Sequence, residues 1–88
     1  MNCSAEISIK SDDCLHARPA QLLVEKAMRF ESMLTLSRGR KKADAKSIFD
    51  VLILAAEKGS LFLQAEGDDA ERAVAELAAL LDRELNKE

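Results

Sequence analysis

The chain has 88 residues, of which 48% are apolar, so it is long enough for one domain with one modest core. Its formal net charge of −3 at pH 7 argues against general nucleic-acid binding, which needs a basic excess. With no secretory signal and no apolar run of membrane-spanning length, we expect a cytoplasmic protein without membrane contact. Two cysteines, Cys3 and Cys14, are too few for a disulfide framework, and we expect two free thiols.

The first part of the chain predicts a strand and then a helix. Apolar and polar residues alternate over 3–10, which is typical of a strand with one wet face. A loop is expected at 11–13. The next apolar residues recur at helical spacing, and they are Ala20, Leu23, Val24, Ala27 and Met28. Because proline fits only the first turn of a helix, Pro19 predicts that the helix begins at about His16 or Ala17.

A hairpin and a second helix are predicted next. Residues 33–37 and 41–45 predict two strands that are joined by a tight turn at 38–40. Ser47 is the expected N-cap of an almost uniformly apolar helix, and Asp50 is its expected capping-box partner.

One more strand and one more helix are predicted at the end. Alternation over 60–66 predicts the strand, and Asp68 with Glu71 gives a second capping signal. One face of the last helix is apolar, and it consists of Ala70, Ala73, Val74, Leu77, Leu80, Leu81 and Leu85. The element order predicts a two-layer α+β sandwich, in which a mostly antiparallel four-stranded sheet carries helices on one face and solvent on the other.

The only basic cluster lies at 38–42. No aromatic residues are interleaved with it, although single-stranded nucleic-acid sites use them for base stacking. We therefore interpret the cluster as a solvated hairpin and expect no nucleic-acid partner.

The only histidine, His16, stands at the predicted start of the first helix. The unpaired N–H groups of that turn, the helix dipole and the Arg18 guanidinium all favour a bound anion. Since a neutral imidazole nitrogen is a competent nucleophile, these residues suit a histidine that accepts a phosphoryl group. A surface histidine beside a helix start explains the same spacing. A hydrolytic or metal-dependent enzyme that uses His16, Asp12 and Cys14 is a further hypothesis, but two ligands do not make a zinc site, and we expect no metal and no cofactor.

Three motifs resemble the histidine-containing phosphocarrier (HPr) family of the bacterial phosphoenolpyruvate-dependent phosphotransferase system. They are LHARPA at 15–20, AKSIFDVLILAA at 45–56 and AEGDDAERAV at 65–74. The resemblance covers essentially the whole chain, as one domain over 1–88. It implies an open-faced β-sandwich with strand order 1-4-2-3 and three helices, and a phosphocarrier rather than an enzyme in its own right.

The resemblance also implies roles for single residues. His16 matches the histidine that takes a phosphoryl group on Nδ1 from enzyme I and passes it to an enzyme IIA-type acceptor. Arg18 matches the arginine that stabilises the phosphate, which the backbone N–H groups of Ala17 and Arg18 would also bind. Ser47 matches the serine that a dedicated HPr kinase phosphorylates in some members. The alternative function is a regulatory interaction protein that is switched by phosphorylation of His16 or Ser47.

A docking surface is expected because the second helix is apolar on all sides, whereas a small domain buries only one face of such a helix. The set expected to face the sheet is Val51, Leu54 and Ala55. The set expected to lie off the buried faces is Leu22, Ile48, Phe49 and Leu52. The resemblance implies that these four residues surround the histidine. We expect a monomer that makes small, transient contacts with successive partners.

Two departures from the family pattern stand near the site. Asp13-Cys14 replaces the usual asparagine-glycine pair, so the loop loses a glycine and gains a negative charge. Glu25 and Met28 stand where sugar-transport members often carry lysines that meet an acidic partner. This favours a regulatory or nitrogen-related branch over carbohydrate transport, and the acceptor stays open.

Overall fold

The computed structural model describes residues 2–8, 17–54, 57 and 59–85. Their strands and helices are β1 (Asn2–Ile7), α1 (Ala17–Ala27), β2 (Met33–Arg38), β3 (Lys41–Asp44), α2 (Ile48–Ile53), β4 (Leu61–Glu66) and α3 (Ala70–Leu85). The four strands form one antiparallel sheet in the order β1-β4-β2-β3. The predicted fold class and strand order are confirmed.

Side-chain alternation separates a buried face of the sheet from an open one. Ala5, Leu63 and Leu36 stand side by side across β1, β4 and β2, on the face that the helices cover. The residues that alternate with them along each strand point to the opposite face of the sheet. Phe62 and Met33 are 46% and 72% exposed on that face. The predicted wet face of the sheet is therefore confirmed.

The helices bury the faces that the sequence periodicity predicts, with one exception. All seven residues of the apolar face of α3 are buried, and so are Ala20, Leu23 and Ala27 of α1. Met28 is 67% exposed, so its prediction as a core residue is wrong. Eight residues after Ala20, it is turned by about 80° to the edge of the stripe, and Phe30 is buried in the turn beyond it.

The helical layer has a fixed order. α3 packs on β1 and β4, α2 packs on β3, and α1 contacts both of these helices. Because the sheet order places β3 at the opposite edge from β1, α1 lies between α3 and α2. This order decides which residues share a surface around the start of α1.

The start of α2 is confirmed, but its predicted side-chain cap is wrong. Ser47 occupies the N-cap with extended backbone angles, φ −117° and ψ 114°, and makes no side-chain cap hydrogen bond. Its carbonyl accepts the first helical hydrogen bond from the Val51 N–H at 3.0 Å. Its own N–H already donates to the carbonyl of Asp44, so Asp50 finds no donor there and the capping box does not form.

The start of α3 lies one residue beyond the predicted cap. Asp69, and not Asp68, precedes the helix, and its carbonyl accepts from the Ala73 N–H at 2.8 Å. The Asp69 carboxylate reaches across to the turn before β2, where it accepts the N–H groups of Glu31 and Ser32 at 2.9 Å and the Ser32 hydroxyl. This carboxylate therefore links the two halves of the chain.

One member of the basic cluster is buried. Arg38 is 1% exposed because it shares the inward register of Leu34 and Leu36 in β2. Its Nε donates to the Gly59 carbonyl at 3.0 Å and its Nη1 to the Leu54 carbonyl at 3.4 Å. The expected solvated hairpin is right for the exposed residues 40–42 and wrong for Arg38.

Candidate functional site

The predicted site lies at the N-terminal end of α1. His16, Asp12, Asp13 and Cys14 lie outside the described residues, which resume at Ala17. α1 begins at Ala17 and carries Pro19 in its first turn, as predicted. The helix itself offers no acceptor to the N–H groups of Ala17 and Arg18. Its first turn contains no acidic residue, so the positive end of the helix dipole is not offset from within.

Arg18 stands in this turn with an exposed guanidinium. Its side chain is 76% exposed, and its Nε lies 4.0 Å from Oε1 of Glu84 in the last turn of α3. The Glu84 side chain is only 9% exposed, and Nε of Arg83 lies 3.5 Å from its Oε2. Arg18 is thus accessible to a ligand while a carboxylate of α3 holds it near the start of α1.

Leu22 belongs to the side of α1 that faces α3. It lies between Arg18 and Lys26 at intervals of four residues, and both neighbours pair with α3. Lys26 Nζ lies 3.6 Å from Oε1 of Glu76. The pKa of Glu76 is lowered, first by the hydrogen bond from Arg72 and less by Lys26. Leu22 is half-buried between Arg18 and Lys26, and its role in docking stays a prediction.

The outward surface of α2 differs in part from the expected one. Val51 and Leu54 are fully buried as predicted, while the side chain of Ala55 lies outside the described residues. Phe49 is 79% exposed, but Ile48 and Leu52 are half-buried and pack against the core.

The sequence reasoning missed Ile53, which is 55% exposed. It stands four residues after Phe49, so the helical period alone places the two on one face. Phe49 and Ile53 are therefore the apolar residues that α2 presents to solvent.

Ser47 is half-buried at the start of α2, and its hydroxyl is not used as a helix cap. Cys3 is a free, half-buried thiol, as expected, whereas Cys14 lies outside the described residues. Within the described ranges, no group of three or more His, Cys, Asp or Glu side chains is placed to hold a metal ion. Among the described helices, none is both long and apolar enough to span a bilayer.

Comparisons with known proteins agree with the fold. The family model described as "PTS HPr component phosphorylation site" matches residues 3–83. The phosphocarrier protein HPr of Haemophilus influenzae is 38% identical over 79 residues, which cover 89% of this chain and 93% of that protein.

Solved structures give the same result. The histidine-containing phosphocarrier protein of Mycoplasma has a TM-score of 0.85 at 32% identity, with 94% of this chain and 97% of that chain covered. The Bacillus subtilis catabolite repression protein Crh, a dimer with a swapped domain, has a TM-score of 0.71 at 38% identity, with 90% and 92% covered.

Proposed function

Because this chain belongs to the HPr family of phosphocarrier proteins of the phosphotransferase system, we propose that it accepts a phosphoryl group on Nδ1 of His16 from the phosphohistidine of enzyme I. It then passes the group to an enzyme IIA-type acceptor. The family is one of carriers rather than of catalytic enzymes. The observation that supports the proposal most is the family match over 3–83, which includes the motif around His16.

The proposed transfer is a displacement between two nitrogens. The neutral imidazole of His16 attacks phosphorus with the lone pair of Nδ1 while its proton stays on Nε2. The bond from phosphorus to the donor nitrogen breaks, and its electron pair returns to the donor ring. Because the other nitrogen of the donor ring carries a proton, that ring leaves as a neutral imidazole and no proton has to move.

The first turn of α1 suits the charge of the transferred group. The N–H groups of Ala17 and Arg18 donate to its oxygens, and the Arg18 guanidinium offsets their negative charge. Pro19 is buried in the same turn and fixes the direction in which the helix starts.

Intact mass after incubation with phosphoenolpyruvate and the enzyme I encoded in the same genome tests the proposal. We expect a gain of one phosphate that is lost in acid and survives alkali, as a phosphohistidine does. The gain should be absent in a folded His16→Ala variant. A wild-type chain that gains no phosphate under these conditions contradicts the proposal.

A regulatory role is the second candidate, because the chain is similar to the catabolite repression protein Crh. In this case an HPr kinase phosphorylates Ser47, whose hydroxyl is not used as a helix cap. The added dianion would stand two residues before the exposed Phe49 and oppose docking there.

Incubation with ATP and an HPr kinase tests the second candidate. We expect one acid-stable phosphate that disappears in Ser47→Ala. A phosphate on another residue, or none, contradicts it.

We further propose that the chain works as a cytoplasmic monomer without a cofactor. The Crh structure, a dimer with a swapped domain, shows that a relative of the same fold associates. Light scattering at micromolar concentration distinguishes the two states, since a dimer doubles the mass.

A further inference from the structure

The open face of the sheet carries its side chains in rows that run across the four strands. The first row consists of Glu6, Phe62, Ser37 and Lys42, in the order β1-β4-β2-β3. Its two end residues are exposed and carry opposite charges, and Phe62 is 46% exposed in the middle. The row is therefore acidic at the β1 edge, apolar in the middle and basic at the β3 edge.

The second row has a similar asymmetry among polar groups. It consists of Ser4, Gln64, Thr35 and Asp44. The β1 edge thus offers a hydroxyl donor and the β3 edge a carboxylate acceptor, while an amide and a hydroxyl stand between them. A shorter third row, with Asn2, Glu66 and Met33, closes the end of the face.

The sheet order gives these rows a partner in a second copy of the chain. A two-fold axis parallel to the strands, between β4 and β2, would place β1 of one copy over β3 of the other and β4 over β2. Each row would then meet the same row of the second copy in reverse order.

The reversed first row is complementary to itself. Glu6 of each copy would lie opposite Lys42 of the other, and Phe62 would lie opposite Ser37. The Ser37 hydroxyl donates to the Phe62 carbonyl of its own sheet at 3.5 Å, so this small side chain leaves room above it for the opposing ring. The two rings would meet beside the axis, between the two ion pairs.

The second row also matches itself when reversed, because Ser4 would donate to the Asp44 carboxylate and Gln64 would pair with Thr35. A two-fold axis across the strands does not give this match. It would place the two Asp44 carboxylates opposite each other, which costs free energy.

We propose that the open face of the sheet pairs with the open face of a second copy of this chain, in this reversed register, as a weak and reversible dimer. The two sheets would stack about 10 Å apart with nearly aligned strands. Nothing is exchanged between the copies, in contrast to the swapped domain of the Crh dimer. Because the helices cover the other face of the sheet, the start of α1 stays accessible in the pair.

The size of the open face makes the pair weak. Four strands about 4.8 Å apart, with six residues of about 3.4 Å each, cover at most roughly 400 Å² per copy. The total of roughly 800 Å² is below the ~1,200 Å² of a stable complex, so we expect Kd on the order of 1 mM. At ~10 µM only about 2% of the chain would then be paired, which agrees with the proposed working monomer.

NMR relaxation of the full ¹⁵N-labelled chain tests the pairing. Between ~0.05 and ~2 mM, a Kd of about 1 mM raises the mean rotational correlation time about 1.5-fold. We expect the concentration-dependent amide shifts to lie on the four strands, with the largest on the central β4 and β2, and not on α1 or α3.

Exchange of the two charges tests the register. Glu6→Lys or Lys42→Glu alone should raise Kd at least about tenfold, because each places like charges opposite each other twice. The double variant Glu6→Lys/Lys42→Glu should restore association, since the ion pairs form again with reversed sign. Glu6→Lys changes the net charge from −3 to −1, so net charge alone predicts the opposite effect, a tighter pair.

Two control variants make the same charge changes elsewhere. Lys41→Glu alters the neighbour of Lys42 on β3, whose side chain alternates to the other face of the sheet. Glu25→Lys alters an exposed residue of α1. We expect the Kd of both controls to stay within about twofold of the wild type. Should a reversal variant not fold, the milder Glu6→Gln or Lys42→Gln replaces it, with an expected rise in Kd of about two- to fivefold.

Each other outcome overturns the inference. A wild-type correlation time that stays constant up to ~2 mM means that the face does not pair. Shifts confined to the helices assign association to another surface, and a dimer that persists on dilution indicates a swapped one. A double variant that associates no better than the single variants excludes the register. The phosphate measurement on His16 is independent of all four outcomes, because it is made on the dilute monomer.

Discussion

Oε1 of Glu84 lies 4.0 Å from Nε of Arg18, and this ion pair joins the last turn of α3 to the first turn of α1. If Arg18 stabilises the phosphoryl group, it must exchange a carboxylate partner for a phosphate. Glu84 therefore competes with the phosphorylated state. The competition is modest because the guanidinium is largely exposed to water.

Glu84→Gln should increase the phosphorylated fraction of the chain. We expect the equilibrium of phosphoryl exchange with a phosphoenolpyruvate–pyruvate mixture to shift about two- to fivefold toward phosphohistidine. Glu71→Gln, which makes the same charge change at the other end of α3, should leave it unchanged. In an Arg18→Gln background the Glu84 effect should vanish, and an equal shift there would show that Glu84 acts independently of Arg18.

Phe49 and Val51 should separate docking from stability. Phe49→Glu should raise the KM of this chain as a substrate of the phosphoryl donor. It should change the free energy of unfolding by less than about 0.5 kcal/mol, because the ring is 79% exposed. Val51→Ala removes a fully buried side chain of the same helix and should cost about 1–3 kcal/mol. Urea unfolding and transfer kinetics of both variants measure this. Loss of folding in Phe49→Glu would place Phe49 in the core.

Arg38 should stabilise the C-terminal end of α2 through its hydrogen bonds to the Leu54 and Gly59 carbonyls. Arg38→Met keeps the bulk of the side chain but leaves the Leu54 and Gly59 carbonyls without their guanidinium donor. We expect a loss of about 1–3 kcal/mol in the free energy of unfolding, together with faster hydrogen exchange at the C-terminal end of α2. The exposed Arg40 is the control, and Arg40→Met should cost less than about 0.5 kcal/mol. Equal losses for both would mean that the two carbonyls find other donors.

Asp69 should make stability depend on pH in the acid range. Its pKa is lowered from 3.8, first by the hydrogen bond from the Ser32 hydroxyl and then by the backbone N–H of Glu31. A carboxyl with a lowered folded pKa stabilises the fold above its unfolded pKa, and this contribution is lost as the pH falls through the folded pKa. Asp69→Asn should therefore lower Tm at pH 7, and the gap to wild type should narrow below pH 3.8.

The neighbouring Asp68→Asn serves as the control for this pH dependence, because Asp68 is exposed. Thermal unfolding of wild type, Asp69→Asn and Asp68→Asn over the acid range measures how Tm depends on pH. A gap between wild type and Asp69→Asn that does not change with pH would show that the Asp69 charge does not matter.

The periodic parts of the sequence predicted the fold well. The apolar face of α3 and the alternation of β4 are as expected, since burial repeats with the period of each element. The strand order came from the family resemblance, because alternation shows which residues face inward but not which strands are neighbours.

Errors arose where one side chain had a choice of partners. Ser47 occupies the N-cap position, but its N–H already donates to the Asp44 carbonyl. Asp50 therefore finds no donor there, and the predicted capping box does not form. The Asp69 carboxylate binds a turn 37 residues away from it along the chain, which local spacing cannot reveal. Arg38 follows the inward alternation of β2, but only the fold supplies the two carbonyls that make burial of its charge tolerable.

The candidate site was predicted only in part. The start of α1 and the exposure of Phe49 are confirmed, because both follow from local helix rules. The grouping of Leu22 with α2 stays a prediction, although its neighbours Arg18 and Lys26 on the helix pair with α3. The role of His16 stays a prediction that the mass measurement tests.

The sheet order has a consequence for biosynthesis. β1 pairs with β4, so Ile7 cannot pair with Leu61 until Leu61 has left the ribosome. The ion pair between Arg18 and Glu84 can form only later, because Glu84 is synthesised after Leu61. The amino-terminal strand of the nascent chain therefore has no native sheet partner until β4 has been made. The folding rate should be limited by these distant pairings.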